Sequence, residues 1–147
     1  MSGLRAYRAE DQPDLLRLWW SSWHSIAPGL THPVPFEAWE ARWLGEIVPA
    51  QAIVVAEEEG RVVGFAALHL ANRELTQLFV APACQRRGIG EQLLGWAKAT
   101  QPDGFTLLTL IENRASRAFY LRHGFIEGAV RVSTIHGRPV IECRWAP

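Results

Sequence analysis

Residues 80–91 read Val-Ala-Pro-Ala-Cys-Gln-Arg-Arg-Gly-Ile-Gly-Glu and connect a strand pattern to a helical pattern. Apolar and β-branched residues at 75–80 precede this segment, and apolar residues recur at helical spacing from Ile89 onwards. Glycine at 88 and 90 lets the backbone approach a bound group and point several N–H groups at it. The helix dipole and two arginines, Arg86 and Arg87, add positive potential there. The segment therefore predicts a phosphate-binding site.

Two common phosphate-binding motifs do not fit this loop. A P-loop ends in Gly-Lys-Ser/Thr, which is absent, and a dinucleotide fingerprint needs a third glycine where this chain has Leu93. On the local pattern alone, an ordinary strand-to-helix turn with solvated arginines remains an alternative.

Two separate motifs resemble those of the GNAT superfamily of N-acetyltransferases. Val80-x-Pro82 followed by Gln85-x-x-Gly88-x-Gly90 is similar to the family's coenzyme A loop. The segment 113–125, Asn-Arg-Ala-Ser-Arg-Ala-Phe-Tyr-Leu-Arg-His-Gly-Phe, is similar to a second family motif. There an asparagine precedes a short helix with a tyrosine, and Gly-Phe opens the next strand. The motifs occur in the family's order, and the resemblance extends over nearly the whole chain.

The patterns along the chain predict one domain over residues 1–147, a length that suits a single core. Asp11 should cap the first helix with Pro13 in its first turn, and Gly124 should end the last helix. Strands are expected near 4–8, 53–56, 62–70, 75–80, 105–111, 125–134 and 139–145. Helices are expected after 11, from 36 to about Gly45, from 89 to 100 and over 114–123. The order βααβββαβαββ is that of the GNAT fold, an α/β (α+β) mixed sheet with helices on both faces.

Charge and composition exclude several classes of function. Lysine plus arginine equals aspartate plus glutamate, 15 each, so no global field favours nucleic acid or an anionic membrane. The N-terminus lacks the apolar core of a signal peptide, and no apolar run approaches the roughly 20 residues of a membrane helix. Two cysteines and the histidine spacing predict neither a disulfide framework nor a metal site, and Cys84 is interpreted as a plain loop residue. We expect a cytoplasmic protein.

The resemblance implies acetyl-CoA as cosubstrate and assigns residues to it. The loop residues would hold the phosphates; they are Gln85, Arg86, Arg87, Gly88, Ile89, Gly90 and Glu91. The main chain of Leu78, Phe79 and Val80 would border a gap beside their strand, bind the pantetheine arm and polarise the acetyl carbonyl. Asn113 would hydrogen-bond the same arm, although an asparagine also suits a helix N-cap and can do both.

Catalytic roles also follow from the resemblance. Tyr120 would act as the general acid, because a phenol with a pKa near 10 is matched to a departing thiolate; a core tyrosine is the alternative. Glu74, eleven residues before Gln85, would be the general base, directly or through water, or else a solvated charge at a strand end. His69 is a second candidate base or an edge histidine. Some family members carry a glutamate at a position that is Leu108 here.

The acceptor amine would bind near the first two helices, which are rich in tryptophan. Leu15, Trp19 and Trp23 recur at i+4 in the first helix, and the spacing of Trp19, Trp23, Trp39 and Trp43 favours a buried core face. Trp20, Trp23 and His24, near the end of the first helix, are the better candidates for substrate contact. Gln77 would orient a water or the substrate.

The predicted activity is transfer of an acetyl group to a primary amine of a small molecule or peptide, by direct attack in a ternary complex. No cysteine lies where a covalent acetyl carrier would be expected. The alternative function is that of a catalytically silent acyl-CoA-binding sensor or interaction domain. Apolar residues of the last strands, Val140, Ile141 and Trp145, would suit a homodimer.

Overall fold

Residues 2–147 are described by the computed structural model. The strands are β1 (Ser2–Ala6), β2 (Ala52–Glu58), β3 (Arg61–His69), β4 (Glu74–Val80), β5 (Phe105–Leu110), β6 (Ile126–Val132) and β7 (Pro139–Trp145). The helices are α1 (Gln12–His24), α2 (Phe36–Arg42), α3 (Ile89–Thr100) and α4 (Arg114–Arg122). The order of strands and helices agrees with the one predicted from the sequence.

The strands form one mixed sheet in the order β1-β2-β3-β4-β5-β7-β6. Neighbouring strands are antiparallel except β4 and β5, which run parallel. β2, β3 and β4 follow one another through short turns, and β1 pairs with β2 although α1 and α2 lie between them in the chain. β5 lies beside β7 and leaves β6 at the edge. The mixed sheet expected from the sequence is therefore confirmed.

Helices cover the sheet on both faces. On one face, α1 and α2 bury Leu15, Trp19 and Trp39 against Val55 and Phe65 of the central strands. The other face is covered by α3 and α4, and its core contains Leu93, Leu94 and Tyr120. The i, i+4 spacing of Leu15, Trp19 and Trp23 predicted the buried stripe of α1, and all three side chains are buried.

The chain leaves β1 earlier than predicted, because Asp11 has a different role from the expected helix cap. Its carboxylate accepts hydrogen bonds from both terminal nitrogens of Arg5, at 2.8 and 2.7 Å, and from the Arg8 N–H at 2.8 Å. It makes no side-chain cap to α1. These bonds draw residues 8–11 into a turn, so β1 ends at Ala6, and α1 begins at Gln12 with Pro13 in its first turn as predicted.

The second helix continues beyond its predicted end. After Arg42 the chain forms a π-helical turn, Trp43–Ile47, in which the Val48 N–H donates to the Trp43 carbonyl at 2.9 Å. Gly45 lies inside this turn and does not terminate it. The wider turn buries Trp43 and Ile47 almost completely, and this packing explains why the helix does not stop at the glycine.

The end of α4 follows the prediction made for Gly124, which has φ +88°. The N–H of Phe125 donates to the carbonyl of Tyr120 at 3.0 Å, and the Gly124 N–H donates to Leu121 at 3.3 Å. This pair of bonds is a Schellman motif, which fixes the last turn of the helix that carries Tyr120.

The outer strand β6 is the exposed edge of the sheet. It carries a bulge between Glu127 and Val130, and Ile126, Val130 and Val132 are all more than half exposed. Val140 and Ile141, offered by the sequence for a dimer interface, are instead buried in the core. Across residues 2–147, none of the helices has the length and apolar character needed to cross a bilayer.

A close approach at Gly64 positions α3 on the sheet. A Cβ at this residue of β3 would lie 3.0 Å from the Phe79 carbonyl oxygen and 3.2 and 3.3 Å from Leu93 and Ile89 of α3. We expect Gly64→Ala to lower the free energy of unfolding by about 1–3 kcal/mol in urea titrations. Gly95→Ala is the matched control, since its Cβ would meet nothing within 4 Å on the exposed side of α3. It should raise stability by about 0.5–1 kcal/mol; equal losses in both variants would contradict the packing argument.

Candidate active site

The site is organised around a gap between β4 and β5. Within residues 2–147, these parallel strands form one ladder pair, Glu74 opposite Thr106, and their remaining residues are not paired with each other. Leu75 and Gln77 pair with adjacent residues of β3, so Thr76 between them is an extra residue, a β-bulge. Because a bulge bends its strand, the second half of β4 parts from β5 and its main chain on that side faces a gap.

Leu78, Phe79 and Val80, predicted to bind the cosubstrate, border this gap and pair on their other side with β3. The Val80 carbonyl already accepts two hydrogen bonds, from Ser22 Oγ at 2.9 Å and from Gln85 Nε2 at 3.0 Å. Gln85 therefore braces the start of the loop against the strand. The Ala81 N–H donates to the Val63 carbonyl of β3, and main-chain groups alternate in direction along a strand, so those of Phe79 face β3 and those of Leu78, with the Val80 N–H, face the gap.

The loop after β4 has the geometry of an anion site. A short 3-10 turn, Pro82–Cys84, is followed by Arg86 with φ +63° and by Gly88 with φ +81°, which forms the N-cap of α3. No side chain caps the first N–H groups of α3. A Cβ on Gly90 would meet only the Phe119 ring at 3.6 Å, so internal packing does not demand glycine there. Left-handed residues next to uncapped helix N–H groups form a concave set of donors for phosphate.

The two loop arginines differ in their surroundings. Arg87 Nη2 lies 2.6 Å from Glu58 Oε1 at the end of β2. Arg86 is exposed. Arg87 is thus already paired with a carboxylate of the protein, Glu58 of β2.

Tyr120, the predicted general acid, lies on α4 and is 7% exposed. Its ring packs edge-on against Phe119 and Phe125, with centroids 5.3 and 5.2 Å away. Burial raises the pKa of its phenol above the ordinary value. The phenol therefore stays protonated at physiological pH, and its raised pKa makes it a weaker acid than the match to a departing thiolate predicted from the sequence.

Asn113 is the N-cap of α4, and its Oδ1 accepts the Ser116 N–H at 3.1 Å. Nearby, Arg117 donates twice to Glu127 of β6, at 2.7 and 3.0 Å, and once to the Ile111 carbonyl at 3.0 Å. These bonds fix the start of α4 relative to the end of β5. A ligand would meet the amide nitrogen of Asn113, since Oδ1 is used by the cap.

Glu74 opens β4, opposite His69 of β3 and Thr106 of β5. Four residues at about 3.3 Å each put its Cα roughly 13 Å from that of Leu78, so a proton would travel through water rather than pass directly. His69 is less available as a base, because its Nδ1 accepts the Asn72 N–H at 3.2 Å and closes the β3–β4 turn.

The predicted substrate contacts differ in exposure: some side chains are buried or hold a loop in place, and Trp20 is partly exposed. His24 donates from Nδ1 to the Trp20 carbonyl at 2.8 Å, and its Nε2 accepts the His32 N–H at 3.1 Å. Both ring nitrogens thus hold the loop after α1 in place. Trp23 is buried and Trp20 is half-buried, with its ring centroid 4.1 Å from that of His24. Gln77 is buried on the face that also carries Phe79.

Two further histidines pack beside Trp23. The centroids of His32 and His136 lie 4.6 and 5.6 Å from the Trp23 ring and 5.7 Å from each other. His32 Nδ1 accepts the Val34 N–H at 3.0 Å, so the ring proton is on Nε2. Burial, with smaller effects of His136 and other neighbouring positive charges, lowers the pKa of His32 to about 4. Burial likewise lowers the pKa of His136.

A cavity of about 460 Å³ lies between α2 and the β6–β7 turn. We call it the α2 cavity; its lining residues are His32, Val34, Ala38, Trp39, Ala41, Arg42, Glu46 and Ile135. Within residues 2–147, Arg42 Nε is the one buried side-chain nitrogen or oxygen without a well-aligned hydrogen bond, and its ion-pair partner Glu46 Oε2 lies 3.4 Å away. Sequence reasoning did not single out Arg42 or Ile135. The only available signal was an arginine within a tryptophan-rich helix, which does not reveal the cavity.

Metal ligands are not gathered anywhere in the described chain: residues 2–147 contain no group of three or more His, Cys, Asp or Glu side chains that could hold an ion.

Comparison with known proteins gives a consistent assignment. Residues 49–127 match the family model described as an acetyltransferase (GNAT) domain. The chain is 30% identical over 91 residues to the peptidyl-lysine N-acetyltransferase YiaC of Escherichia coli. This match covers 62% of the chain and 52% of YiaC, so the chain spans about half the length of that curated relative.

Solved structures show the same fold. Apo YjaB from Escherichia coli superposes with a TM-score of 0.78 at 21% identity, covering 99% of this chain and 97% of that one. The PaiA N-acetyltransferase of Thermoplasma acidophilum, solved in complex with coenzyme A, has a TM-score of 0.73 at 20% identity and 99% coverage of both chains.

The low pKa of His32 predicts a loss of stability in mild acid. The unfolded chain protonates this histidine below pH of about 6.5, whereas the folded protein resists protonation until about pH 4. The unfolded state then binds more protons, so the free energy of unfolding should fall by up to about 3 kcal/mol as the pH decreases across this window. His32→Asn keeps an acceptor for the Val34 N–H but does not titrate, and urea titrations from pH 7 to 4.5 should show a shallower loss. Parallel pH profiles for the two proteins would contradict the assignment.

Proposed function

Because the chain belongs to the GNAT acetyltransferase family, we propose that it transfers an acetyl group from acetyl-CoA to a primary amine by direct attack in a ternary complex. The observation that carries the proposal is the parting of β4 and β5 next to an uncapped helix N-terminus, with Tyr120 on the adjoining face. The acceptor is the amine of a small molecule or a peptide. A curated relative named as a peptidyl-lysine acetyltransferase supports the amine class.

Acetyl-CoA fits the donor groups present. The N–H groups between Arg86 and Gly90 would bind the pyrophosphate, and Arg86 would add charge from the solvent side. The pantetheine arm would lie along the gap side of β4, beside the main chain of Leu78 and Val80, and meet the amide of Asn113. A neighbour of the same fold was solved with coenzyme A, which supports this use of the loop.

The chemistry needs a neutral amine, a polarised carbonyl and a proton for the departing thiolate. A main-chain N–H of β4 aimed into the gap would stabilise the oxygen of the tetrahedral adduct, an effect worth about 3 kcal/mol in other enzymes. Tyr120, kept protonated by its burial, would give its proton to the sulfur as the C–S bond breaks. The amine's own proton would leave through water towards Glu74, with Gln77 orienting the chain of waters.

A cytoplasmic location and a homodimer remain predictions from the sequence. The catalytically silent sensor is distinguished from the enzyme by the experiment that follows.

Thiol release from acetyl-CoA, measured with a panel of amines, amino acids and short peptides, tests the reaction. We expect Tyr120→Phe to lower kcat by about 10²–10⁴-fold, because it removes the proton donor without changing the shape of the core. Glu74→Gln should lower kcat less and act mainly at low pH, where the amine must lose a proton. Release by wild type that neither substitution affects would refute these roles.

Calorimetry with acetyl-CoA on the same samples separates the enzyme from the sensor. Tight binding without thiol release for any acceptor would favour the sensor. Absence of acetyl-CoA binding would contradict both the enzyme and the sensor.

The Arg87–Glu58 ion pair is predicted to weaken the binding of acetyl-CoA, because it draws a positive charge away from the phosphate loop. Glu58→Gln removes a negative charge beside the loop and releases Arg87 towards the phosphates, so the Kd for acetyl-CoA should decrease by about 3–10-fold at low salt. Arg87→Gln should increase it. Both differences should shrink when calorimetry is repeated at high salt, and a Glu58→Gln variant that binds more weakly would contradict the prediction.

A further inference from the structure

Ser22 of α1 forms a side-chain hydrogen bond that leaves its own helix. The residue is buried, and its Oγ donates to the carbonyl of Val80 in β4 at 2.9 Å. A serine inside a helix usually bonds to a carbonyl three or four residues earlier in the same helix, or faces solvent. Ser25 behaves in this way, since its Oγ donates to the Ser22 carbonyl at 2.8 Å. The Ser22 hydroxyl instead joins the end of α1 to the strand that borders the gap.

The Val80 carbonyl lies where a free carbonyl would oppose catalysis. Main-chain groups of Phe79 pair with Phe65 of β3, and those of the next residue alternate, so an unbound Val80 carbonyl would point into the gap. Its partial negative charge would repel the charge that forms on the acetyl oxygen during attack. Ser22 and Gln85 both donate to this carbonyl. Because Gln85 is exposed, water competes with its bond, whereas the bond from buried Ser22 is protected from water.

The peptide groups around Val80 are also held on the side of β3. The Ala81 N–H donates to the Val63 carbonyl at 2.8 Å. This N–H and the Val80 carbonyl belong to one planar peptide unit, which is therefore held at both of its polar atoms. The preceding unit carries the Phe79 carbonyl on the β3 side and the Val80 N–H, which points the opposite way. With its neighbours held, the Val80 N–H stays directed into the gap.

We propose that Ser22 is a positioning residue for acetyl transfer, because its bond to the Val80 carbonyl keeps the Val80 N–H directed at the carbonyl oxygen of the acetyl group. This inference rests on the proposed acetyltransferase function. The Ser22 hydroxyl transfers no proton in this role; it fixes a donor before the amine attacks. Donors held in place in advance stabilise developing charge without reorganising during the reaction.

Steady-state kinetics of thiol release from acetyl-CoA test this role. We expect Ser22→Ala to lower kcat by roughly 10–100-fold, since a misplaced donor loses most of the stabilisation that a well-placed one gives. The Kd for acetyl-CoA should stay close to that of wild type, because the phosphate loop is unchanged. Ser21→Ala is the matched control: Ser21 precedes Ser22 in α1 and is exposed, so both kcat and Kd should be unchanged.

Two further substitutions separate positioning from packing. Ser22→Thr keeps the hydroxyl donor and adds a methyl group, whereas Ser22→Cys keeps the size and offers only a weak donor. If the hydrogen bond matters, Ser22→Thr should turn over faster than Ser22→Cys, which should be about as slow as Ser22→Ala. Wild-type turnover by Ser22→Cys would show that only packing matters and would overturn the inference, whether or not Ser22→Thr folds.

Carbon-13 NMR gives a readout that needs no acceptor. The resonance of acetyl-CoA labelled at the acetyl carbonyl moves downfield when a donor polarises that carbonyl. We expect the resonance of the bound thioester to lie further upfield in Ser22→Ala than in wild type, and Ser21→Ala to match wild type. Identical resonances in wild type and Ser22→Ala would overturn the inference, as would a loss of activity that arises only from weaker binding of acetyl-CoA.

Failure of the proposed function gives a different result. If no amine releases thiol, that function fails, and the NMR comparison alone decides whether Ser22 directs the Val80 N–H at the bound acetyl group. If acetyl-CoA does not bind to wild type, the proposed function and the role of Ser22 are both rejected.

Discussion

β4 and β5 face each other through a single residue pair, and the candidate active site depends on their separation beyond it. Main-chain groups of a central strand are normally paired within the sheet. Here the bulge at Thr76 bends β4 outwards and leaves its second half open to a ligand on one side. The same strand runs directly into the glycine loop, so the gap and the anion site are parts of one continuous segment. The distance between them is therefore set by covalent geometry rather than by domain motion.

A sheet that parts in the middle lacks ladder hydrogen bonds there, and side chains on both faces hold its halves together. On one face Lys98 of α3 donates to the His123 carbonyl at 2.7 Å and lies 4.9 Å above the Trp145 ring. On the other face Trp23 of α1 contacts His136 of the β6–β7 turn. Since the helices bridge the two halves, α1 and α3 have a structural role at the site in addition to any contact with ligands. The opening can then stay rigid without strand pairing across it.

Features that depend on a few neighbouring residues were predictable from the sequence, and features that depend on loop paths were not. Gly88 and Gly124 adopt positive φ because the turns at these positions require it, and a local pattern reveals such a requirement. The partners of His24 are main-chain groups of Trp20 and of a loop residue eight positions away, so its structural role appears only once the loop is placed. The α2 cavity likewise brings Ile135 of the β6–β7 turn beside residues of α2, which spacing along a helix cannot indicate.

β6 is an edge strand, so at high protein concentration a second chain can form strand pairing with it. An edge strand with unpaired main-chain groups and apolar side chains is a template for aggregation. The bulge between Glu127 and Val130 interrupts the regular ladder of this edge, and Arg131 adds a charge next to the exposed Val130 and Val132. Twisted and charged in this way, the edge offers no long flat strand for amyloid-like stacking. The irregularity of β6 therefore contributes to colloidal stability, a property that selection acts on independently of catalysis.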